Sequence, residues 1–138
     1  MNMIAQSAVS INYLAVIVAA LSSFVIGGLW YSLLFGKAWM VENNIDEEDL
    51  KNGHMGKIFG GAFTLSLIIS IVLVLFLGPD RNGMIGASAG FTAGLFWVAT
   101  AMGITYLFER KSIKLFFINA GYNVVTFTLM GFILGVWR

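Results

Sequence analysis

The chain has 138 residues, 59% hydrophobic and only 11% charged, with a net charge of +1 and a mean hydropathy of +0.87. Soluble domains carry about 25% charged residues, so this chain has too few to cover a water-facing surface, and its near-neutral balance points to no nucleic-acid partner. Cysteine is absent, which excludes disulfides and thiolate metal sites, while 16 glycines against a single proline suit closely packed membrane helices.

In chain order, residues 1–10 carry no charged side chain and lack the basic start of a secretory signal. They read as the lead-in to a retained first span over 11–34, long enough to cross the hydrocarbon core with some tilt. Ala15, Ala19, Ser23 and Gly27 fall four apart and make one small-residue ridge for helix packing. Asn12 and Tyr13 mark the entry to this span, and Trp30 and Tyr31 its exit, where amphipathic rings prefer headgroup depth.

The first loop holds five of the seven acids: Glu42, Asp46, Glu47, Glu48 and Asp49. The loop predicts a short amphipathic helix capped by Asn44 or Asp46, with acids in its first turn as the macrodipole prefers. Trp39, Met40, Leu50 and Met55 would dip into the interface. The acids lack the alternation and glycine turn of a calcium loop, so they read as a solvated helix start.

A second span over 58–77 ends at Gly78-Pro79-Asp80-Arg81-Asn82-Gly83, a tight turn. The third, over 84–108, carries Gly86, Gly90 and Gly94 as a double G-x-x-x-G ridge and is predicted to be the most buried helix. The fourth, over 115–137, carries Gly131 and Gly135. The fold class is an all-α membrane protein: four transmembrane helices in an up-down bundle, one domain over 1–138, with the short amphipathic helix on the cytoplasmic side.

Lys37, Lys51, Lys57, Arg110, Lys111 and Lys114 lie in the first and third loops, against Arg81 and Arg138 on the other side. The positive-inside rule then places both termini outside a bacterial cytoplasmic (inner) membrane. Ile11-Asn12 precedes Gly28-Leu29-Trp30 by the same interval that separates Ile118-Asn119 from Gly135-Val136-Trp137, an echo with few further identities.

The search for chemistry mostly excludes. His54 stands without a second ligand type nearby, and no Asp, Glu, Lys or Arg falls inside a predicted span. Proton-coupled transport and intramembrane hydrolysis usually need such a group. No catalytic, cofactor-binding or metal-ligating residue is assigned, no cofactor is expected, and the chain is read as not an enzyme. What remains is a neutral polar and aromatic set: Asn12, Trp30, Tyr31, Trp97, Asn119, Tyr122 and Asn123. Asn119 and Asn123 are one turn apart, and Asn123 and Trp97 reach overlapping depths. The set reads either as interhelical hydrogen bonding or as a small-ligand pocket or water-lined path.

The run I-N-Y-L-A-V-I-V-A-A followed by G-G-L-W-Y-S-L-L-F-G-K-A-W resembles the opening of a bacterial four-span membrane family of unknown function. The likeness extends over nearly the whole length and is specific at Asn12, Gly28, Trp30, Tyr31, Phe35, Gly36, Lys37 and Trp39. Many members read W-Y-S-P, where Leu33 stands here in place of the proline. The resemblance implies the four-span architecture and transfers no activity. The function expected is a non-catalytic helix-packing or interaction protein that self-associates in the lipid bilayer as a homo-oligomer. The alternative is a channel or carrier for a small neutral or weakly charged solute, with the small-molecule ligand unidentified.

Overall fold

The computed structural model describes residues 11–138; the uncharged lead-in over 1–10 lies outside them. Four helices are long and apolar enough to cross a membrane: α1 (Tyr13–Leu34), α4 (Met55–Leu77), α5 (Gly83–Phe108) and α6 (Ile113–Val136). Between α1 and α4 run two short helices, α2 (Gly36–Asn43) and α3 (Glu47–Lys51), where the sequence predicts one. Among the described residues there is no strand. The architecture is the four-span all-α bundle read from the sequence.

Helix starts follow side-chain chemistry. Asn12, Asn82 and Ser112 each accept a hydrogen bond from a backbone N–H three residues on, at 3.1, 2.9 and 3.1 Å, and so open α1, α5 and α6. Asp46 and Asp49 form a reciprocal capping box at the start of α3. Asn44 adopts the left-handed conformation (φ 53°) that ends α2. Of the two predicted caps, Asp46 therefore starts a helix and Asn44 stops one.

Two segments depart from α-helical winding: Leu29–Leu34 at the end of α1 and Gly94–Ala99 in the middle of α5 are π-helical. In α1 the Phe35 N–H reaches back to the Trp30 carbonyl at 2.8 Å. In α5 the Thr100 hydroxyl donates to the carbonyls of Phe96 (2.5 Å) and Trp97 (3.1 Å), so the loosened turn is re-satisfied without water. Gly36 follows the first π-segment because a Cβ there would sit 2.6 Å from the Tyr31 carbonyl oxygen, closer than side chains tolerate.

The hub is α6. It packs on α5 along one edge and on α1 along another, while α4 lies mainly against α1. The α5–α6 seam is built from glycine. A Cβ on Gly86 would collide with the Gly131 carbonyl, one on Gly90 with the Phe127 carbonyl, and one on Gly135 with the Asn82 carbonyl. Gly94 faces Val124 Cα, at 3.0 Å from where its Cβ would lie. Such backbone approach replaces the hydrophobic drive that lipid cannot supply.

The expectation that the third span is the most buried is not met: α5 is the least buried of the four. Glycine lets a helix come close along a strip one residue wide, and the remaining faces of α5, including Phe91, Phe96, Ile104 and Leu107, stay exposed.

The core proper lies between α1, α4 and α6, where Ala15, Val16, Ala19, Leu73, Val74, Met130 and Leu134 pack together. Ala15, Ala19 and Ser23 of the predicted ridge are buried, and Gly27 abuts the Tyr122 ring at 3.6 Å. Two hydroxyl contacts tie α1 to α4: Ser70 Oγ donates to the Val16 carbonyl at 2.9 Å, and Ser23 Oγ lies 3.1 Å from Ser66 Oγ.

Arg81, counted in the sequence only as a loop charge, is 2% exposed. Its Nε donates to the Leu134 carbonyl at 2.8 Å and its Nη1 to the Gly78 carbonyl at 3.0 Å. Burial, with repulsion from Arg138, lowers its pKa from the usual guanidinium value. A cation at the last turn of α6 also complements the helix dipole.

Gly90→Ala tests the seam against Gly60→Ala, whose added Cβ meets nothing within 4 Å. We expect the first to lower stability by about 1–3 kcal/mol through overpacking and the second to leave it unchanged or raise it by up to about 1 kcal/mol, as read by thermal unfolding in detergent. Equal behaviour of the two would show that the α5–α6 approach is not close.

Candidate functional site

The π-helical end of α1 turns two consecutive aromatic residues toward α6. Trp30 Nε1 donates to the Ile118 carbonyl at 2.8 Å, and Tyr31 Oη donates to Asn119 Oδ1 at 2.6 Å. Gly121 makes room for the indole, since a Cβ there would stand 3.0 Å from Trp30 Cζ2. These residues, read from the sequence as exit markers at headgroup depth, are bundle staples.

Asn119 is the centre of the cluster. While its Oδ1 accepts from Tyr31, its Nδ2 donates to Tyr106 Oη at 2.8 Å, linking α1, α5 and α6 through one amide. One turn on, Asn123 Nδ2 donates to the Asn119 carbonyl at 2.9 Å and lies 3.4 Å from Met102 Sδ. Tyr122 Oη donates to the Ser23 carbonyl at 2.9 Å. Ring contacts seal the group, with Tyr31 edge-on to Tyr122 at 5.2 Å and to Trp39 at 5.7 Å.

Of the seven polar and aromatic residues picked from the sequence, five gather here: Trp30, Tyr31, Asn119, Tyr122 and Asn123. Asn12 caps α1 at its far end. Trp97, 69% exposed, faces outward from α5. It shares a depth with Asn123 but not a side, because equal counts along two helices fix height and say nothing of rotation. Tyr106, Met102 and Trp39 complete the cluster and were missed. The i, i+4 spacing of Tyr106 and Met102 was the available signal for one shared face.

Elsewhere, Glu42 accepts from Ser112 Oγ at 2.6 Å, which ties α2 to the start of α6. Asp46 and Asp49 are engaged in the α3 cap. His54 precedes α4 without a side-chain capping bond and is exposed. Among the described residues, no group of three His, Cys, Asp or Glu side chains could hold a metal ion.

The family model described as a protein of unknown function, DUF1761, matches residues 14–135. This chain belongs to the DUF1761 family. The match spans all four membrane helices and every member of the cluster, so the cluster is part of the DUF1761 domain. No curated protein and no solved structure matches the DUF1761 chain.

Chemically, the DUF1761 cluster offers hydroxyls, amides and rings, with no carboxylate, imidazole or amine among its members. It is suited to holding helices together. Asn119→Leu removes an acceptor and a donor at once and should cost about 1–3 kcal/mol. Tyr31→Phe should cost less, and nothing further in the Asn119→Leu background. A double-mutant cycle read by denaturation measures this, and strict additivity would mean that the two side chains do not interact.

Proposed function

We propose that this DUF1761 protein is a non-catalytic helix-packing protein of a bacterial inner membrane that works as a homo-oligomer. The observation that carries the reading is on α4. Gly56, Gly60 and Gly61 each open onto space, with nothing within 4 Å of an added Cβ. Elsewhere the chain uses glycine for backbone approach, at Gly86, Gly90, Gly131 and Gly135. Glycine costs a helix about 1 kcal/mol relative to alanine, so an exposed glycine pair on a membrane helix finds its use in a second copy. The reading is also supported by the way the polar cluster is closed by protein partners, and by ionisable side chains that approach the bilayer only at helix ends, as Lys57 and Lys114 do.

Light scattering in nanodiscs or detergent tests this. Wild type is expected to associate with increasing protein concentration. Gly60→Leu should shift it to monomer without lowering its unfolding temperature. Wild type that stays monomeric throughout, or a variant that associates as before, would end the proposal.

Transport of a small neutral solute is the second reading, and one observation favours it: the Thr126 hydroxyl is buried without a hydrogen-bond partner among the described residues, one turn beyond Tyr122. Liposome flux of neutral solutes separates the two, with Asn123→Leu abolishing flux and sparing stability if a path exists there. For orientation, both termini outside is our reading from the loop charges. The chain has no cysteine, so Asp80→Cys should react with an impermeant reagent outside intact cells and Lys111→Cys should not; reversed labelling overturns it.

A further inference from the structure

An apolar crevice of about 640 Å³ opens between α4 and α5. Ile68, Val72 and Phe76 line it from α4, and Ser88, Thr92 and Trp97 from α5, with Phe127 of α6 among its lining residues. It exists because α4 and α5 both lean on other helices and hardly touch each other. From Ser88 to Trp97 it runs nine residues along α5, or about 13 Å at 1.5 Å per residue, nearly the depth of one leaflet.

Its inner end carries an unusual donor. Trp97 sits about 21 Å along α5 from Gly83 and about 16 Å from Phe108, near the bilayer midplane. Its indole N–H makes no hydrogen bond with any described residue. Hydroxyls beside it manage alone: Thr92 bonds to the carbonyl of Ser88 on its own helix at 2.8 Å. An indole cannot fold back in that way, and hydrocarbon offers no acceptor. Phospholipid ester groups lie at the edge of a core about 30 Å thick, so they stop roughly 15 Å short.

We propose that this crevice binds a membrane-dissolved lipophile with a flat, carbonyl-bearing ring on an apolar tail, as in an alkyl quinone. The ring stacks beside Trp97, next to Phe127, and the tail fills the leaflet-long slot toward Phe76. The ring's carbonyl accepts from Trp97 Nε1. A volume of 640 Å³ falls within the range of small-molecule sites. The open glycines of α4 lie beyond its inner end, with Gly60 eight residues (about 12 Å) from Ile68. Self-association through them and binding in the crevice are independent.

The test uses the full chain in lipid nanodiscs with its indole nitrogens labelled for NMR. The probe is a short-chain alkyl benzoquinone, and the control an alkylbenzene with the same chain. Quinone is expected to move one indole signal among those of the four tryptophans, the one absent from Trp97→Phe. Alkylbenzene should leave it in place. Trp97→Phe keeps the ring and is expected to weaken quinone binding about tenfold, as loss of one desolvated hydrogen bond does. Ala89→Leu, which fills the slot, should abolish it. Equal shifts from both probes, or none from either, would overturn the proposal. So would a Trp97 signal that moves on diluting the protein alone, since the occupant would then be a second copy.

Discussion

Inside the hydrocarbon layer no water is available, so a polar group left without a protein partner there is costly. That constraint organises this molecule more than apolar packing does. Hydroxyls of Ser22, Ser23, Thr64, Thr105 and Thr128 return to carbonyls three or four residues back on their own helices. The amide of Asn119 does not, and it gathers Tyr31 and Tyr106 around itself instead. Where two backbones meet, at α5 and α6, glycines bring peptide groups together with no side chain between them. Individual contacts of this kind are worth only about 0.6 kcal/mol on average. The bundle rests on having many of them converge on one helix.

The signature that suggested the family now has a physical reading. Trp30 docks α1 onto α6, Tyr31 reaches Asn119, and Gly36 clears the Tyr31 carbonyl. Phe35 packs against Trp30 at 4.9 Å, and Trp39 against Tyr31. The motif is a corner in which α1 unwinds by a π-turn, stops, and hands over to α2. A proline in place of Leu33 would remove a donor and loosen that same turn. This chain achieves the widened winding without it.

Spans and their small-residue ridges were legible because they depend on composition and on spacing along one helix. Gly86, Gly90 and Gly131 could be named as contact points from their period alone. What the period could not give was rotation between helices: Trp97 shares a depth with Asn123, yet it lines the crevice between α4 and α5. The π-turns left no signal either, since nothing in L-W-Y-S-L-L distinguishes five-residue from four-residue hydrogen bonding. Arg81 was hidden for another reason: a charge in a Pro-Asn-Gly turn reads as solvated unless its acceptor is known, and that acceptor lies on another helix. The closed polar cluster was half visible, through the pairing of Asn119 with Asn123. Its partners on α1 and α5 came from 13 to 88 residues away.

That separation bears on the order in which the protein can take shape. The Tyr31–Asn119 bond spans 88 positions and the Arg81–Leu134 bond 53. Both acceptors sit on α6, the last span in the sequence. As the chain emerges from the ribosome, α1, α4 and α5 reach the bilayer with the Tyr31 hydroxyl, the Trp30 indole and one guanidinium still lacking their acceptors on α6. The glycine edge of α5 has nothing to meet. Assembly therefore waits for α6, a single helix that binds all three predecessors.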